Sequence, residues 1–142
     1  MHIYNQINYL KMSYFTNIGE AISENENFRK VLFTGVKSQL VVMDIPVGGE
    51  IGEETHEHVE QTLFFSSGLG KAVLDGIESP VEPGMVYVVT PGTRHNFINI
   101  GSVPLKVYTV YAPPNHIDGT IHKTKADADA DHADEAFGEK VN

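Results

Sequence analysis

The chain contains no cysteine among its 142 residues. That absence excludes a disulfide framework, thiolate zinc sites, iron–sulfur clusters and a thiol nucleophile, so any metal must rest on His, carboxylate or amide ligands. Basic charge is also scarce: 10 Lys and Arg face 19 Asp and Glu, for a net charge of −9 with 7 His neutral. A surface of that sign repels a phosphate backbone, and nucleic acid is not expected as a partner. Long apolar runs are missing too. The opening stretch MHIYNQINYLKMSYF is broken by Asn, Gln and Lys. It gives neither a leader with an apolar core nor a spanning segment, so a cytoplasmic protein with no membrane partner is expected.

What is present suits one domain. Hydrophobic residues make up 41% of the chain, with 7 Phe and 6 Tyr, enough for a core that needs no covalent staples. From Phe28 onward, runs rich in Val, Ile, Phe, Tyr and Thr recur at 31–36, 39–45, 61–66, 71–75, 85–90, 95–100 and 105–111. Turn signals separate them at Gly48-Gly49, Gly68, Asp75-Gly76, Pro83-Gly84, Pro91-Gly92 and Gly101. This grammar predicts an all-β protein, a closed barrel or a double-sheet sandwich, and no alternating α/β pattern appears. Asp75-Gly76 predicts a two-residue hairpin, because Gly takes positive φ at little cost. Residues 85–89 are apolar at every position, which predicts a strand covered on both faces.

The flanks differ from this body. Residues 1–27 predict a short helix around Ile18, Ala21 and Ile22 within a largely irregular segment. Its Ile3, Tyr4, Ile7, Tyr9, Leu10, Tyr14 and Phe15 need a partner surface, so a homodimer held in part by this segment is expected. Residues 28–122 form the predicted barrel. Residues 123–142 are acidic, and six carboxylates against Lys140 give 126–142 a charge of −5. Phe137 is nearly the only large apolar residue there, so a solvated, flexible tail is expected.

The chemistry concentrates in Glu53-Glu54-Thr55-His56-Glu57-His58-Val59-Glu60-Gln61. His56 and His58 stand at i and i+2, which on a strand places both rings on one face. Glu60 keeps that parity if the strand is regular, whereas Gln61 faces in only if a bulge or bend intervenes. His95 opens a later strand after the turn Thr90-Pro91-Gly92-Thr93-Arg94, and antiparallel pairing can bring it opposite the pair. Three converging imidazoles predict a metal centre. Arg94 is either a two-pronged anion contact or an exposed turn residue. His116 and His122, after the double proline, either cap the barrel mouth or lie on the surface.

Two segments carry a resemblance to a known family. GGEIGEETHEHVEQTLFFSSG, with Gly49, His56, His58, Gln61 and Gly68, resembles the first motif of the cupins. GMVYVVTPGTRHNFIN, with Gly84, Pro91, Gly92, His95 and Asn99, resembles the second. The resemblance covers about half the chain and is to small bacterial single-domain cupins. It implies an antiparallel double-stranded β-helix, the cupin jelly-roll barrel, commonly dimeric. It also implies one divalent transition metal (Zn, Mn, Fe, Ni or Co) on His56, His58, His95 and a fourth ligand. The sequence departs from the family where Gln61 replaces the usual Glu, one residue early, and where Thr90 replaces a frequent Pro. Gln61 as ligand leaves a more positive site suited to an anionic ligand; Glu60, turned in, restores the usual charge.

The resemblance implies a small-molecule ligand and a Lewis-acid enzyme of isomerase, epimerase or lyase type. Its substrate is then a small anionic carbonyl compound, a sugar or a sugar phosphate, with Glu60 as base and Tyr108 as the next choice. Two alternatives stand beside this reading: an iron-dependent dioxygenase, in which Fe(II) on three imidazoles binds oxygen, and a non-catalytic binder of small molecules.

Overall fold

The computed structural model describes residues 13–141. The expected dimer contact through residues 1–12 therefore lies outside the described residues. Among the described residues, a short helix, α1 (Ile18–Glu24), is followed by nine strands and two more helices. The strands are β1 (Arg29–Thr34), β2 (Gln39–Ile45), β3 (Glu60–Ser67), β4 (Gly70–Leu74), β5 (Ile77–Val81), β6 (Val86–Val89), β7 (His95–Asn99), β8 (Leu105–Ala112) and β9 (Ile121–His122). The closing helices are α2 (Lys125–Ala130) and α3 (His132–Val141). All pairings are antiparallel, in a six-stranded sheet ordered β6-β3-β8-β2-β1-β9 and a three-stranded sheet ordered β5-β4-β7. The all-β jelly roll expected from the sequence is the fold found.

Alternation explains the core. Val41, Met43 and Ile45 of β2, Leu63 and Phe65 of β3, and Leu105, Val107 and Tyr111 of β8 point inward. They meet Ala72 of β4 and Phe97 of β7 from the smaller sheet. Apolar residues recur at the inward positions of these strands, interrupted by Gln39, Gln61 and Thr109, so two sheets bury one face each. Residues 85–89 correct the expectation of a doubly covered strand. β6 is an edge strand, and Val86 and Val88 are more than half exposed on its outer side. Over the centre of that sheet, α1 covers β2 and β8. There Lys106 Nζ donates to the carbonyls of Ile22, Ser23 and Asn25 at 3.4, 3.1 and 3.0 Å, capping the helix's C-terminal end.

Turn chemistry sets the register. Asp75 (φ 49°) and Gly76 (φ 81°) form the expected hairpin between β4 and β5, a pair of positive φ values typical of a type I′ turn. Asp75 Oδ1 then accepts from Arg94 N at 3.0 Å, tying this hairpin to the turn before β7. Gly68, between β3 and β4, combines φ +88° with close approach, since a Cβ there would stand 2.6 Å from Pro104 O.

The acidic C-terminal stretch is not a solvated tail. Thr124 and Asp127 form a reciprocal capping box at the start of α2. Two carboxylates then clasp two histidines. His116 Nδ1 donates to Asp134 Oδ2 at 2.7 Å, and Ile117 N donates to Asp134 Oδ1 at 2.8 Å. His122 Nε2 lies 2.9 Å from Asp131 Oδ2. Burial pushes the His116 imidazole below its ordinary pKa, against the raising effect of the Asp134 hydrogen bond. Burial alone would raise Asp134, but the hydrogen bond and charge of His116, the Ile117 N–H and Arg29 outweigh it and hold the carboxyl low.

Two outcomes are expected. Gly68→Ala lowers stability in urea by more than about 1 kcal/mol, and by more than Gly84→Ala, where φ is +89° but nothing lies within 4 Å. Equal losses would show that the Pro104 contact is not limiting. For the clasp, an unfolded His116 takes up a proton below pH 6.5 before the folded one does, so stability falls as the pH drops through that value. Likewise, the contribution of Asp134 is complete above 3.8 and is lost as the pH falls toward its lower folded pKa. Asp134→Asn therefore costs about 1–3 kcal/mol at pH 7, and its gap from wild type closes at strongly acid pH. A gap that stays constant with pH would show that the carboxylate charge contributes nothing.

Candidate functional site

The segment between β2 and β3 runs along β7 as a broken strand. Ile51 N donates to Phe97 O at 2.9 Å and Asn99 N to Gly49 O at 2.9 Å. Glu54 and His95 then exchange both backbone bonds, N–H to O at 2.9 Å each way. Residues paired in this way sit directly opposite with side chains on one face. Glu54 and His95 are therefore brought together by the backbone. His56, two residues on, returns to the same face, and its ring lies 5.2 Å from that of His95. Gly92 N, donating to His56 O at 2.7 Å, fixes the second crossing of this loop over the turn before β7.

One ligand atom from each of Glu54, His56 and His95 lies within 4.8 Å of the other two. Glu54 Oε2 stands 3.0 Å from His56 Nε2. The adjoining imidazoles and Arg29 hold the Glu54 carboxyl well below the ordinary range, although burial works in the opposite direction. His95 Nδ1 lies 2.8 Å from Thr93 O; a carbonyl only accepts, so Nδ1 carries the proton and Nε2 presents a lone pair. Burial keeps that imidazole below its ordinary pKa and thus neutral.

His58 is not part of this cluster. The chain bends at Glu57 and His58, so Val59 enters the core (1% exposed) and His58 is exposed. The same bend turns Gln61 inward, 2% exposed, and leaves Glu60 outside. A shift of one residue reverses every side chain, and the loop places that shift between His56 and Val59. Gln61 Nε2 donates to Thr109 Oγ1 at 3.1 Å, whose own proton goes to Thr62 O at 2.9 Å. That chain of donors fixes the amide orientation and leaves Gln61 Oε1 buried with no hydrogen-bond partner among the described residues. Gln61 stands opposite Tyr111 on β8, and the Tyr111 ring meets His56 edge-on at 6.3 Å.

The two residues expected as base face elsewhere. Glu60 is exposed at the start of β3, opposite Ala112. Tyr108 stacks on Phe64 at 4.5 Å on the outer face of the sheet. Its parity on β8 is opposite to that of the inward Val107, Thr109 and Tyr111. Arg94 is exposed, its Nε 3.1 Å from Glu53 Oε1. Asn99 is spent on the backbone, donating to Ile45 O and Val103 O at 3.0 Å each and accepting from Gly101 N at 2.9 Å.

A cavity of about 530 Å³ opens between the barrel and α3, with Arg29, Glu54, His56, His116, Asp134 and Gly138 in its wall. Sequence reasoning missed three residues here: Glu54, Arg29 and Tyr111. The signal for Glu54 was present as a second i, i+2 pair, Glu54 with His56, one step upstream of the pair chosen. Tyr111 could have been found by carrying alternation from Val107. Burial raises its phenol far above the ordinary value, so it stays protonated. Gln39, 1% exposed, holds the Asn115–His116 part of the wall from behind: its Oε1 accepts from Asn115 N and His116 N at 3.2 and 3.0 Å, and its Nε2 donates to His116 O at 2.7 Å.

Known proteins share this arrangement of chain. The cupin domain family matches residues 41–111. The uncharacterized protein YrkC of Bacillus subtilis is 40% identical over 121 residues, 81% of this chain and 65% of that protein, so the chain spans a little less than two thirds of that relative. An uncharacterized protein of Methanocaldococcus jannaschii is 32% identical, over 76% of this chain and 86% of its own length. A crystal structure from Bacillus halodurans aligns with a TM-score of 0.82 and 37% identity, over 84% of this chain and 95% of that one. Both motif segments lie on the two facing sheets, as the likenesses in sequence and in structure require, and the chain belongs to the cupin family.

Proposed function

We propose that this cupin is a metal-dependent enzyme of isomerase, epimerase or lyase type acting on a small anionic carbonyl or hydroxy compound. The observation that carries the reading is the grouping of Glu54, His56 and His95. One carboxylate and two imidazoles are a donor set suited to a divalent transition ion. The unpartnered Oε1 of Gln61 fits the same role, since a buried carbonyl oxygen with no donor is costly unless something meets it. Glu54 thus supplies the anionic ligand that Gln61 does not. The bound ion supplies Lewis acidity, polarising a substrate oxygen.

The chain's own residues do the rest. Thr93 O orients His95 and fixes its proton on Nδ1. Tyr111, kept protonated by burial, accepts from the Arg29 guanidinium and keeps its own O–H to donate. His116, oriented by Asp134 through Nδ1, offers Nε2 as a proton acceptor in the cavity wall, the role first sought in Glu60 and Tyr108. The homodimer belongs to this proposal as well. The exposed Val86 and Val88, beside the Phe64–Tyr108 stack, give a second copy an apolar face to cover. Among the described residues, no helix is long and apolar enough to cross a membrane.

Elemental analysis of the protein purified without added metal, together with zinc and manganese titrations, tests the ligand set. About one equivalent is expected in wild type and in His58→Ala. Glu54→Gln and His95→Ala are expected to lower affinity at least tenfold, and Gln61→Leu by less, because it removes a neutral donor. Loss of metal in His58→Ala with retention in Glu54→Gln would overturn the assignment.

A further inference from the structure

We infer that the cavity beside the cluster is a binding site for a small 2-hydroxycarboxylate, with Arg29 receiving the carboxylate and His116 accepting from the hydroxyl. This deepens the reading above by naming the ligand class, and it rests on that reading only for the place of the cavity beside the metal ligands. Arg29 is 5% exposed and opens β1 on its inner side. Its Nη1 donates to His122 Nδ1 at 3.2 Å and its guanidinium lies over the Phe28 ring at 5.3 Å. Nε is buried with no hydrogen-bond partner, and among the described residues no carboxylate forms an ion pair with this side chain. A buried guanidinium with an unused donor is a costly arrangement that a bound anion relieves. Guanidinium also matches a carboxylate edge in geometry.

His116 supplies the complement. Its Nδ1 is committed to Asp134, so Nε2 bears the lone pair, and Nε2 is buried with no hydrogen-bond partner. Arg29 and His116 both line the cavity, and each keeps an unused polar atom just beneath its surface, one a cationic donor and the other a neutral acceptor. A ligand that satisfies both has an anionic acceptor group and an O–H donor in one small molecule. The rim narrows the class further. Asp129, Glu135 and Glu139 line the cavity from α2 and α3 and are exposed, so a second anionic group directed toward solvent, such as a phosphate ester, meets like charge.

Calorimetric titration with lactate, lactamide and propionate tests this on the full chain. Lactate is expected to bind at least about tenfold more tightly than lactamide, which lacks the charge, and several-fold more tightly than propionate, which lacks the hydroxyl. Arg29→Lys keeps the charge but removes the fork and is expected to weaken lactate at least about tenfold. His116→Phe is expected to abolish the preference of lactate over propionate. His58→Ala, an exposed residue outside the cluster and the cavity wall, is expected to retain lactate binding, which separates recognition from a general effect of substitution. Equal binding of lactate and lactamide, or unchanged lactate affinity in Arg29→Lys, would overturn the proposal. Repeating the titration after dialysis against EDTA separates it from the metal reading. A preference for lactate that survives there upholds this site whatever the metal content. One that vanishes in metal-loaded and metal-free protein alike sinks this site and leaves the metal assignment standing.

Discussion

Two backbone hydrogen bonds exchanged between Glu54 and His95 are the constraint on which the site depends. They make a loop residue and a strand residue direct neighbours, so a carboxylate and an imidazole share a face without any side-chain contact having to form first. His56 follows by simple alternation. The loop can do this because Gly49 and Ile51 have already joined the edge of β7, leaving the residues that follow little freedom of path. Positioning by backbone pairing is stiffer than positioning by loop side chains, which is what a polyvalent ligand site requires.

The strands were legible because their signal is local. All seven runs read from Val, Ile, Phe, Tyr and Thr alternation correspond to strands, and Asp75-Gly76 is the hairpin its chemistry demands. The two-residue β9 carries too little pattern to be seen. At the site, His56, Gln61 and His95 were readable as buried polar candidates, with Gln61 facing in on condition of a bend, but His58 was placed beside His56 as if the strand already ran through both. The bend at Glu57 and His58 is set by the need to bury Val59 and Leu63 together, a tertiary demand that a pair of histidines two residues apart does not express. Extending that parity forward from His56 brought Glu60 into view, whereas extending it backward reaches Glu54.

The C-terminal helices failed to show for a different reason. Hydrophobic periodicity measures apolar burial, and residues 125–141 have little of it. Their attachment is polar instead: Asp134, 5% exposed, satisfies the His116 ring and the Ile117 backbone at once, while Asp131 meets His122. Four acids of this stretch stay in solvent or at the cavity rim, and two are used as anchors. A net charge of that sign is compatible with folding here because both anchoring carboxylates meet histidines and Asp134 also lies in reach of Arg29.

This attachment also decides what the cavity can recognise. An imidazole in the wall of a pocket is ambiguous, since either nitrogen can carry the proton. Asp134 removes the ambiguity by drawing the proton to Nδ1, and His122, accepting at Nδ1 from Arg29, must in turn hold its proton on Nε2 toward Asp131. The two pairs are thus wired in opposite senses, one presenting an acceptor to the cavity and the other fixing the orientation of its only arginine. None of Arg29, His116, His122, Asp131 and Asp134 falls within the family-matched residues 41–111. The barrel common to cupins supplies the candidate metal ligands, whereas the polarity of the chamber beside them comes from segments outside the family-matched residues, so its ligand preference does not follow from that family match.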